Sequence, residues 1–280
     1  MVALRSAEAL AVDALPTAAA VEGLPGHAAV AVMPGHAAVA VMPAPVEVES
    51  TGRLDLASAA RVDQLPDRFI EIIPWEFRRT RNLQLALKRA IDIIGASVGL
   101  VLLSPILAIT AFAVYLSDGL PVLFRQPRVG FRGRPFTIVK FRTMGHDAED
   151  RYAELAALSD TRGAAFKMTN DPRITRIGRI LRKTSIDELP QLWNVLRGEM
   201  SLVGPRPAPP REVILYEAWH LQRLTVKPGI TGAWQISARL DDDFDRRAAL
   251  DIEYVEGWSL LLDLRILVET IPALIRQPGR

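Results

Sequence analysis

Two adjacent carboxylates, Asp187 and Glu188, are the residues in this sequence best suited to do chemistry. Pro190 is tolerated only in a first helical turn and Gly198 can end a helix, so we predict a helix from near Asp187 to Gly198. Both acids would then lie at the positive end of the helix, where ionised carboxylates and bound phosphate are favoured. Adjacent side chains on a helix point in different directions, so one carboxylate could attack a phosphorus atom while its neighbour binds a divalent ion.

The surroundings of this acidic pair favour phosphate chemistry. Taken alone, an Asp-Glu pair at a helix start is more typical of a helix cap. Within twenty residues, however, the rigid turn Gly204-Pro205-Arg206-Pro207 presents an arginine whose planar fork suits phosphate oxygens. Lys140 and Arg142, on a strand-like segment, could bind nucleotide phosphates or could be charges on a sheet edge.

The composition narrows the remaining chemistry. The 280 residues contain no cysteine and four well-separated histidines, which excludes disulfides and thiolate sites and disfavours a His-built metal site. Carboxylates would therefore have to carry any metal. The formal net charge is only +2, but basic residues are concentrated in stretches that suit phosphate groups on nucleotide, lipid or nucleic acid. These stretches are 78–89, 125–142 and 173–183.

The most apolar segment, 90–117, is long enough to reach across a bilayer, but two features predict that it is bent. Pro105 at its middle removes a backbone hydrogen bond and kinks the helix, and the Ser104 hydroxyl can help to satisfy the freed carbonyl. Positive residues flank both ends, whereas a simple span carries them on one side. We therefore predict a re-entrant membrane helix broken at Ser104-Pro105; an ordinary kinked span and a buried soluble helix are the alternatives.

The segments before the apolar run are interpreted as a leader and a membrane approach. Residues 1–66 are rich in Ala, Val and Pro, which predicts a disordered leader. The nonapeptide GHAAVAVMP occurs twice within it, too few copies for a solenoid. Residues 67–89 combine aromatic and basic side chains, as a juxtamembrane segment does.

Residues 118–280 are interpreted as a compact catalytic domain of mixed α+β structure. Strands are predicted at 122–124 and 136–141, and an amphipathic helix with a cationic face at 174–181. Further amphipathic helices are predicted at 212–224 and 254–275, the second broken at Pro272. Together with the bent apolar segment, this predicts a mainly helical monotopic membrane protein with a small β element.

Several motifs, in their order along the chain, resemble the bacterial sugar transferase family, the monotopic phosphoglycosyl transferases of the short catalytic-core type. The central one runs from Asp187-Glu-Leu-Pro-Gln191 to Gly204-Pro-Arg-Pro207. The resemblance covers about two thirds of the chain, from Leu85 to the C-terminus. Its other parts are Lys88-Arg89 with Asp92, Ser104-Pro105, Lys140-Phe-Arg-Thr-Met144, Thr169-Asn-Asp-Pro-Arg173, and Pro228-Gly-Ile-Thr-Gly232 with Gln235.

The resemblance implies a reaction and a site. Asp187 would attack the β-phosphate of a UDP-sugar, giving a covalent phosphosugar and UMP, and polyprenyl phosphate would then take up the phosphosugar. Glu188 would bind Mg²⁺. The residues that would bind phosphate or substrate are Arg182, Arg206, Lys140, Arg142, Gln191 and Pro207. Inner-membrane lipid would be a further partner, and the catalytic domain would lie on the cytoplasmic face of the bacterial inner membrane. The chain could also form a homo-oligomer.

Two other classes of function remain as alternatives. A catalytically silent, membrane-attached scaffold of a polysaccharide assembly complex would not need all of Asp187, Glu188, Arg182 and Arg206. A nucleic-acid-binding protein is disfavoured by the apolar segment. Near Ile236-Ser-Ala-Arg239 the family more often has glycine before the arginine, so the sequence gives Arg239 no clear role. His146 and His220 are interpreted as structural or surface residues, and the acidic run 241–245 as a solvated loop.

Overall fold

The computed structural model describes residues 30–31, 40–41, 82–155, 168, 170–239 and 241–276. Most of the predicted leader and the first part of the predicted juxtamembrane segment, up to residue 81, lie outside these residues. In the N-terminal unit, β1 (Val30–Ala31) pairs antiparallel with β2 (Ala40–Val41), so that one copy of the nonapeptide pairs with the other. Everything else described below belongs to the unit that follows Arg53.

Two apolar helices open the larger unit. Helix α1 (Asn82–Leu102) and helix α2 (Ser104–Asp118) are separated by Leu103 and bent by 61°. Pro105 has no N–H to offer the carbonyl of Val101, and the Ser104 hydroxyl donates to that carbonyl instead (2.8 Å). Among the described residues no single helix is long and apolar enough to cross a bilayer, whereas this bent pair reaches that length and composition together.

Side chains on α1 anchor the helix pair to the rest of the unit. The Lys88 ammonium donates to Asp263 (2.6 Å) and to the carbonyl of Val203 (3.0 Å). Arg89 donates to the last carbonyls of a later helix, and Asp92 accepts from the Ser201 hydroxyl (2.9 Å). Because these groups are buried or partly buried, their hydrogen bonds fix the base of α1 firmly.

In the larger unit the strands form two small sheets. The hairpin of β3 (Leu123–Val129) and β4 (Pro135–Phe141) is longer than the sequence predicted, with Arg125 opposite Val139. Strands β5 (Ser201–Val203) and β6 (Gly229–Thr231) pair in parallel. The helices are α3 (Tyr152–Leu155), α4 (Arg176–Thr184), α5 (Leu192–Arg197), α6 (Pro210–Val213), α7 (Ala233–Ser237), α8 (Phe244–Glu256) and α9 (Leu260–Arg276). The mixed α+β content is confirmed.

Two predicted C-terminal elements are corrected. The stretch predicted as one amphipathic helix, 212–224, overlaps the end of the short α6 and most of a 3₁₀ segment, Ala218–Thr225. The helix predicted to break at Pro272 runs through this proline and breaks instead between α8 and α9. Packing of α9 against β5, β6 and α7 holds the helix together despite the hydrogen bond that Pro272 cannot donate.

Close backbone contact places α4 against the end of β4. Gly178 lies in the first turn of α4, and its N–H donates to the side chain of the N-cap residue Thr175 (3.0 Å). A Cβ at Gly178 would lie less than 3.0 Å from the carbonyl of Thr143, closer than side chains tolerate. This contact allows Arg182, one turn further along α4, to reach the Thr143 hydroxyl (3.0 Å).

Replacing Gly178 tests this contact. An exposed Gly→Ala change in a helix gains about 1 kcal/mol. At Gly178 we expect the clash with Thr143 to outweigh this gain, so that Gly178→Ala lowers stability by about 2 kcal/mol or more. Thermal unfolding in detergent measures the change, with Arg179→Ala, at an exposed position of the same helix, as the control. A stabilised Gly178→Ala protein would contradict the close approach.

Candidate active site

The acidic pair lies on a tight turn that precedes α5. Asp187 and Glu188 belong to a 3₁₀ segment, Ile186–Gln191, which leads directly into α5. Helix α5 ends at Gly198, which is in the left-handed conformation (φ 79°). The predicted helix is therefore present, but its first turn is 3₁₀. Pro190 has no N–H to offer the carbonyl of Ile186, which favours this tighter turn.

The turn forms part of the wall of a cavity of about 690 Å³. Three α-helical or loop segments and the β3–β4 hairpin bring their charged side chains to it. Predicted site residues that line the cavity are Asp187, Glu188, Lys140, Arg142, Arg182, Arg206 and Pro207. Gln191 does not line it and is buried at the end of the 3₁₀ turn. Residues far apart in sequence thus form one polar site with four predicted cations.

Glu188 forms a bidentate ion pair with Arg206. The Arg206 guanidinium donates to both of its carboxylate oxygens (2.6 and 3.2 Å). Burial raises the pKa of Glu188, but attraction and hydrogen bonding from Arg206 outweigh burial and hold the pKa below its ordinary value. Glu188 is therefore ionised at neutral pH, and it raises the pKa of Arg206 in return.

Asp187 is in a different state from its neighbour. Its side chain is buried, and its Oδ1 atom has no hydrogen-bond partner among the described residues. Burial, with the charge of Glu188, raises the pKa of Asp187 to about 6, against the opposing attraction of Lys140, Arg182 and Arg206. A buried carboxylate without a donor is poorly solvated, which favours its reaction with an electrophile.

The predicted cations divide into two groups. Lys140 and Arg182 lie near the acids: burial lowers the pKa of Lys140 to about 7, against the attraction of Asp187 and Glu188. In Arg142, by contrast, Nη2 donates to the carbonyls of Asp118 and Gly119, both at 2.6 Å, and Nη1 lies 2.9 Å from a ring nitrogen of His146. Although Arg142 lines the cavity, these bonds tie β4 to the end of α2.

The structure adds residues that the sequence did not single out. Arg128 lines the cavity and donates to the carbonyl of Pro207 (3.1 Å) and to Gln126 (2.7 Å). Arg239 also lines the cavity and lies near Glu188. The basic stretch 125–142 was the only sequence signal for Arg128, and neither residue is close in sequence to the acidic pair.

His220 is buried, as a structural residue would be: it accepts from the backbone N–H of Glu217 (3.0 Å) and lies 3.0 Å from an Asp245 oxygen. The interpretation of the acidic run changes. Asp243, in the acidic run, caps α8 by accepting from two backbone N–H groups. Among the residues that the structure describes, no three His, Asp or Glu side chains form a group that could hold a metal by themselves.

A magnesium ion is nevertheless compatible with the donor set. Mg²⁺ is usually held by one or two carboxylates together with substrate phosphates rather than by an all-protein cage. The adjacent carboxylates supply hard oxygen atoms, and the unpartnered Asp187 oxygen leaves capacity for a cation. Both oxygens of Glu188 accept from Arg206, so a metal ion bound there would replace one of these two hydrogen bonds.

Comparison with known proteins decides the family. The profile of a family described as bacterial sugar transferase matches residues 83–277. The chain belongs to the bacterial sugar transferase family. The resemblance predicted from the motifs is thereby confirmed, and with it the prediction of a transferase.

Individual relatives agree with this assignment. The sugar transferase is 42% identical to the exopolysaccharide production protein ExoY of Rhizobium meliloti, over 74% of this chain and 93% of ExoY. It is 44% identical to the galactosyl transferase CpsE of Streptococcus agalactiae, over 74% of this chain and 46% of CpsE. It is 46% identical to an undecaprenyl-phosphate glucose phosphotransferase of Komagataeibacter xylinus, over 66% of this chain and 35% of that protein. The matched region thus spans nearly all of ExoY but half or less of the other two.

The raised pKa of Asp187 predicts a pH-dependent cost in stability. The carboxyl has a pKa of about 6 in the fold, against 3.8 without the fold. Between pH 3.8 and about 6 the folded chain keeps a proton that the unfolded chain releases, so the free energy of unfolding falls as pH rises. Above about pH 6 this loss of stability is complete. Asp187→Asn, which never ionises, should be more stable than the native sugar transferase at pH 8, by about 1 to 3 kcal/mol.

This difference should vanish near pH 4, where the native carboxyl is also neutral in the fold. Denaturant unfolding at both pH values measures it. Asp150→Asn, at an exposed position, is the matched control and should show no such gain. Equal stabilities of Asp187→Asn and the native chain at pH 8 would mean that Asp187 is not held in a destabilising environment.

Proposed function

We propose that this sugar transferase moves a sugar 1-phosphate from a UDP-sugar to polyprenyl phosphate and releases UMP. The observation that carries the proposal is the state of Asp187: a buried carboxylate with an unpartnered oxygen, in a cavity lined by several cations. Phosphoryl chemistry needs an oriented nucleophile and neutralisation of charge more than it needs acid–base groups. The names of relatives, which include undecaprenyl-phosphate galactose and glucose phosphotransferases, support the same reaction class.

In the first step the Asp187 carboxylate attacks the β-phosphorus of the donor. A bond forms between the carboxylate oxygen and phosphorus, the bond from phosphorus to the bridging oxygen breaks, and UMP leaves with the electron pair. Arg182 and Lys140 lie where they attract the negative charge of the diphosphate. The product is a sugar phosphate joined to Asp187 as an acyl phosphate.

Glu188 and Arg206 have supporting roles. We propose that Glu188 holds a Mg²⁺ ion, which supplies charge neutralisation to the diphosphate and to the leaving UMP. In the described structure both oxygens of Glu188 accept from Arg206. Arg206 can keep one of these bonds and direct its remaining donors to a phosphate oxygen, because a guanidinium presents five donors.

In the second step the phosphate of the polyprenyl carrier attacks the same phosphorus atom. The bond to Asp187 breaks, the carboxylate returns to its ionised form, and a polyprenyl diphosphate sugar leaves. Neither nucleophile needs a general base, because a carboxylate and a phosphate are both ionised at neutral pH.

The acceptor is a lipid, so the site must meet a membrane. Helices α1 and α2 expose large apolar side chains, among them Ile94, Val101, Ile109 and Phe112, each between 62% and 72% exposed. We propose that the helix pair enters the inner membrane, breaks at Ser104-Pro105 and returns to the same, cytoplasmic face. The 61° bend and the bond from Ser104 to the Val101 carbonyl support this re-entrant arrangement.

The proposed role is the first sugar transfer in the synthesis of an exopolysaccharide, capsule or related glycoconjugate. ExoY, which matches over nearly its whole length, is named for exopolysaccharide production. The sugar is a hexose by analogy with relatives, whose names include both galactose and glucose.

Release of UMP tests the reaction. Detergent-purified chain with Mg²⁺ and polyprenyl phosphate should release UMP from one or a few members of a panel of UDP-sugars. Asp187→Asn should reduce release by at least about a thousandfold, because the nucleophile is lost. Arg265→Gln, on the exposed side of α9, is a matched control that should retain full activity. No release from any donor by folded protein would favour the catalytically silent scaffold.

Extraction tests the membrane arrangement. The full chain should stay with the membrane fraction in high salt and require detergent for release, because apolar burial is insensitive to screening. Ile109→Arg should increase the soluble fraction, whereas Leu215→Arg, at a similarly exposed position (60% against 69%) outside α1 and α2, should not. Release of the native chain by salt alone would contradict insertion of the helix pair.

A further inference from the structure

Ser185 joins two elements that must keep a fixed relation in the site. It follows α4, where its N–H donates to the carbonyls of Arg182 and Leu181. Its own carbonyl accepts from the N–H of Glu188 (3.2 Å), which starts the 3₁₀ turn. One residue therefore sets the angle between the helix that presents Arg182 and the turn that presents Asp187 and Glu188.

The backbone of Ser185 is held in an unfavourable conformation. Its φ and ψ are 58° and 18°, in the left-handed region that residues other than glycine seldom adopt. Such a conformation persists only where surrounding contacts hold it in place, and it is common at functional sites.

Arg239 supplies a contact from a distant part of the chain. It follows α7, 54 residues after Ser185, and its Nη2 atom donates to the Ser185 hydroxyl at 2.6 Å. Arg239 is half-buried and lines the same cavity, with Glu188 and Asp187 as its electrostatic neighbours. A short bond from a charged donor at this depth is among the stronger hydrogen bonds in proteins.

We propose that Arg239 is a positioning residue that acts through Ser185. By holding the Ser185 hydroxyl it fixes the left-handed junction, and the junction aims Asp187 at the donor phosphorus while Arg182 remains at the diphosphate. This positioning role rests on the proposed transfer reaction, and no sequence motif indicates it. Arg239 thus differs in role from the cations that neutralise substrate charge directly.

Two other roles for Arg239 make different predictions. If it bound donor phosphate directly, removing its charge would weaken donor binding, and removing the Ser185 hydroxyl would not. If it only stabilised the fold, its loss would lower the folded fraction and leave the folded enzyme unchanged. A positioning role instead lowers the rate of chemistry, because small misplacements of a nucleophile are costly.

A double-mutant cycle on Arg239→Gln and Ser185→Ala tests the proposal. Each single variant should lower kcat about tenfold to a hundredfold, with donor KM within about twofold of the native value. The double variant should be no slower than the slower single variant, because both changes remove one interaction. Arg239→Lys, which can still donate to the hydroxyl, should restore part of the rate. Arg265→Gln is again the control for loss of an arginine.

Several outcomes would overturn the proposal. A raised donor KM for Arg239→Gln with normal Ser185→Ala kinetics would assign Arg239 to substrate binding. Losses that multiply in the double variant, or no loss in either single variant, would mean that the two residues do not act together. If Ser185→Ala does not fold, Ser185→Gly replaces it in the cycle, because glycine adopts the left-handed conformation without the hydroxyl.

The same four proteins also separate this inference from the reaction itself. Thermal unfolding of the native chain, the two single variants and the double variant measures the coupling of Arg239 and Ser185 without any substrate. A coupled pair in a chain that releases no UMP would disprove the reaction but keep the contact. An active chain with uncoupled residues would keep the reaction and disprove the positioning role.

Discussion

Asp187 and Glu188 are neighbours in the chain, and both lie in a cavity where burial disfavours their charge. The chemistry of the site depends on which of the two carboxylates has its charge stabilised. Arg206 satisfies Glu188 through two hydrogen bonds and holds its pKa low, whereas Asp187 keeps a buried oxygen without a partner and a pKa of about 6. The charge of one carboxylate is thus stabilised by an ion pair, and the charge of the other is not, which is the difference on which the proposed nucleophilic role of Asp187 rests.

The rest of the fold can be understood as what keeps this arrangement in place. The close contact of Gly178 with Thr143 brings α4 and Arg182 to the end of β4. The left-handed junction at Ser185 then turns the chain so that the acids face the cavity. At the other end, Lys88 anchors the apolar helix pair to Asp263, and the helix pair and the cavity belong to the same unit of the chain.

Much of this was accessible from the sequence, and the rest depended on contacts between distant segments. Asp187, Glu188 and Arg206 lie within a short window whose motif has a physical reason at each position, so their grouping was predictable. Arg128 and Arg239 reach the same cavity from the hairpin and from the end of α7, and no local pattern could place them there. The break predicted at Pro272 was wrong because tertiary packing outweighs the local preference of proline.

Detection of the covalent intermediate tests the central claim most directly. The purified chain would be incubated with its UDP-sugar and Mg²⁺ but without polyprenyl phosphate, then digested and analysed by mass spectrometry. We predict a hexose phosphate on the peptide that contains Asp187, together with about one equivalent of UMP per chain. UMP formed only when the lipid phosphate is present, with no modified peptide, would mean direct transfer between the substrates and would contradict a nucleophilic role for Asp187.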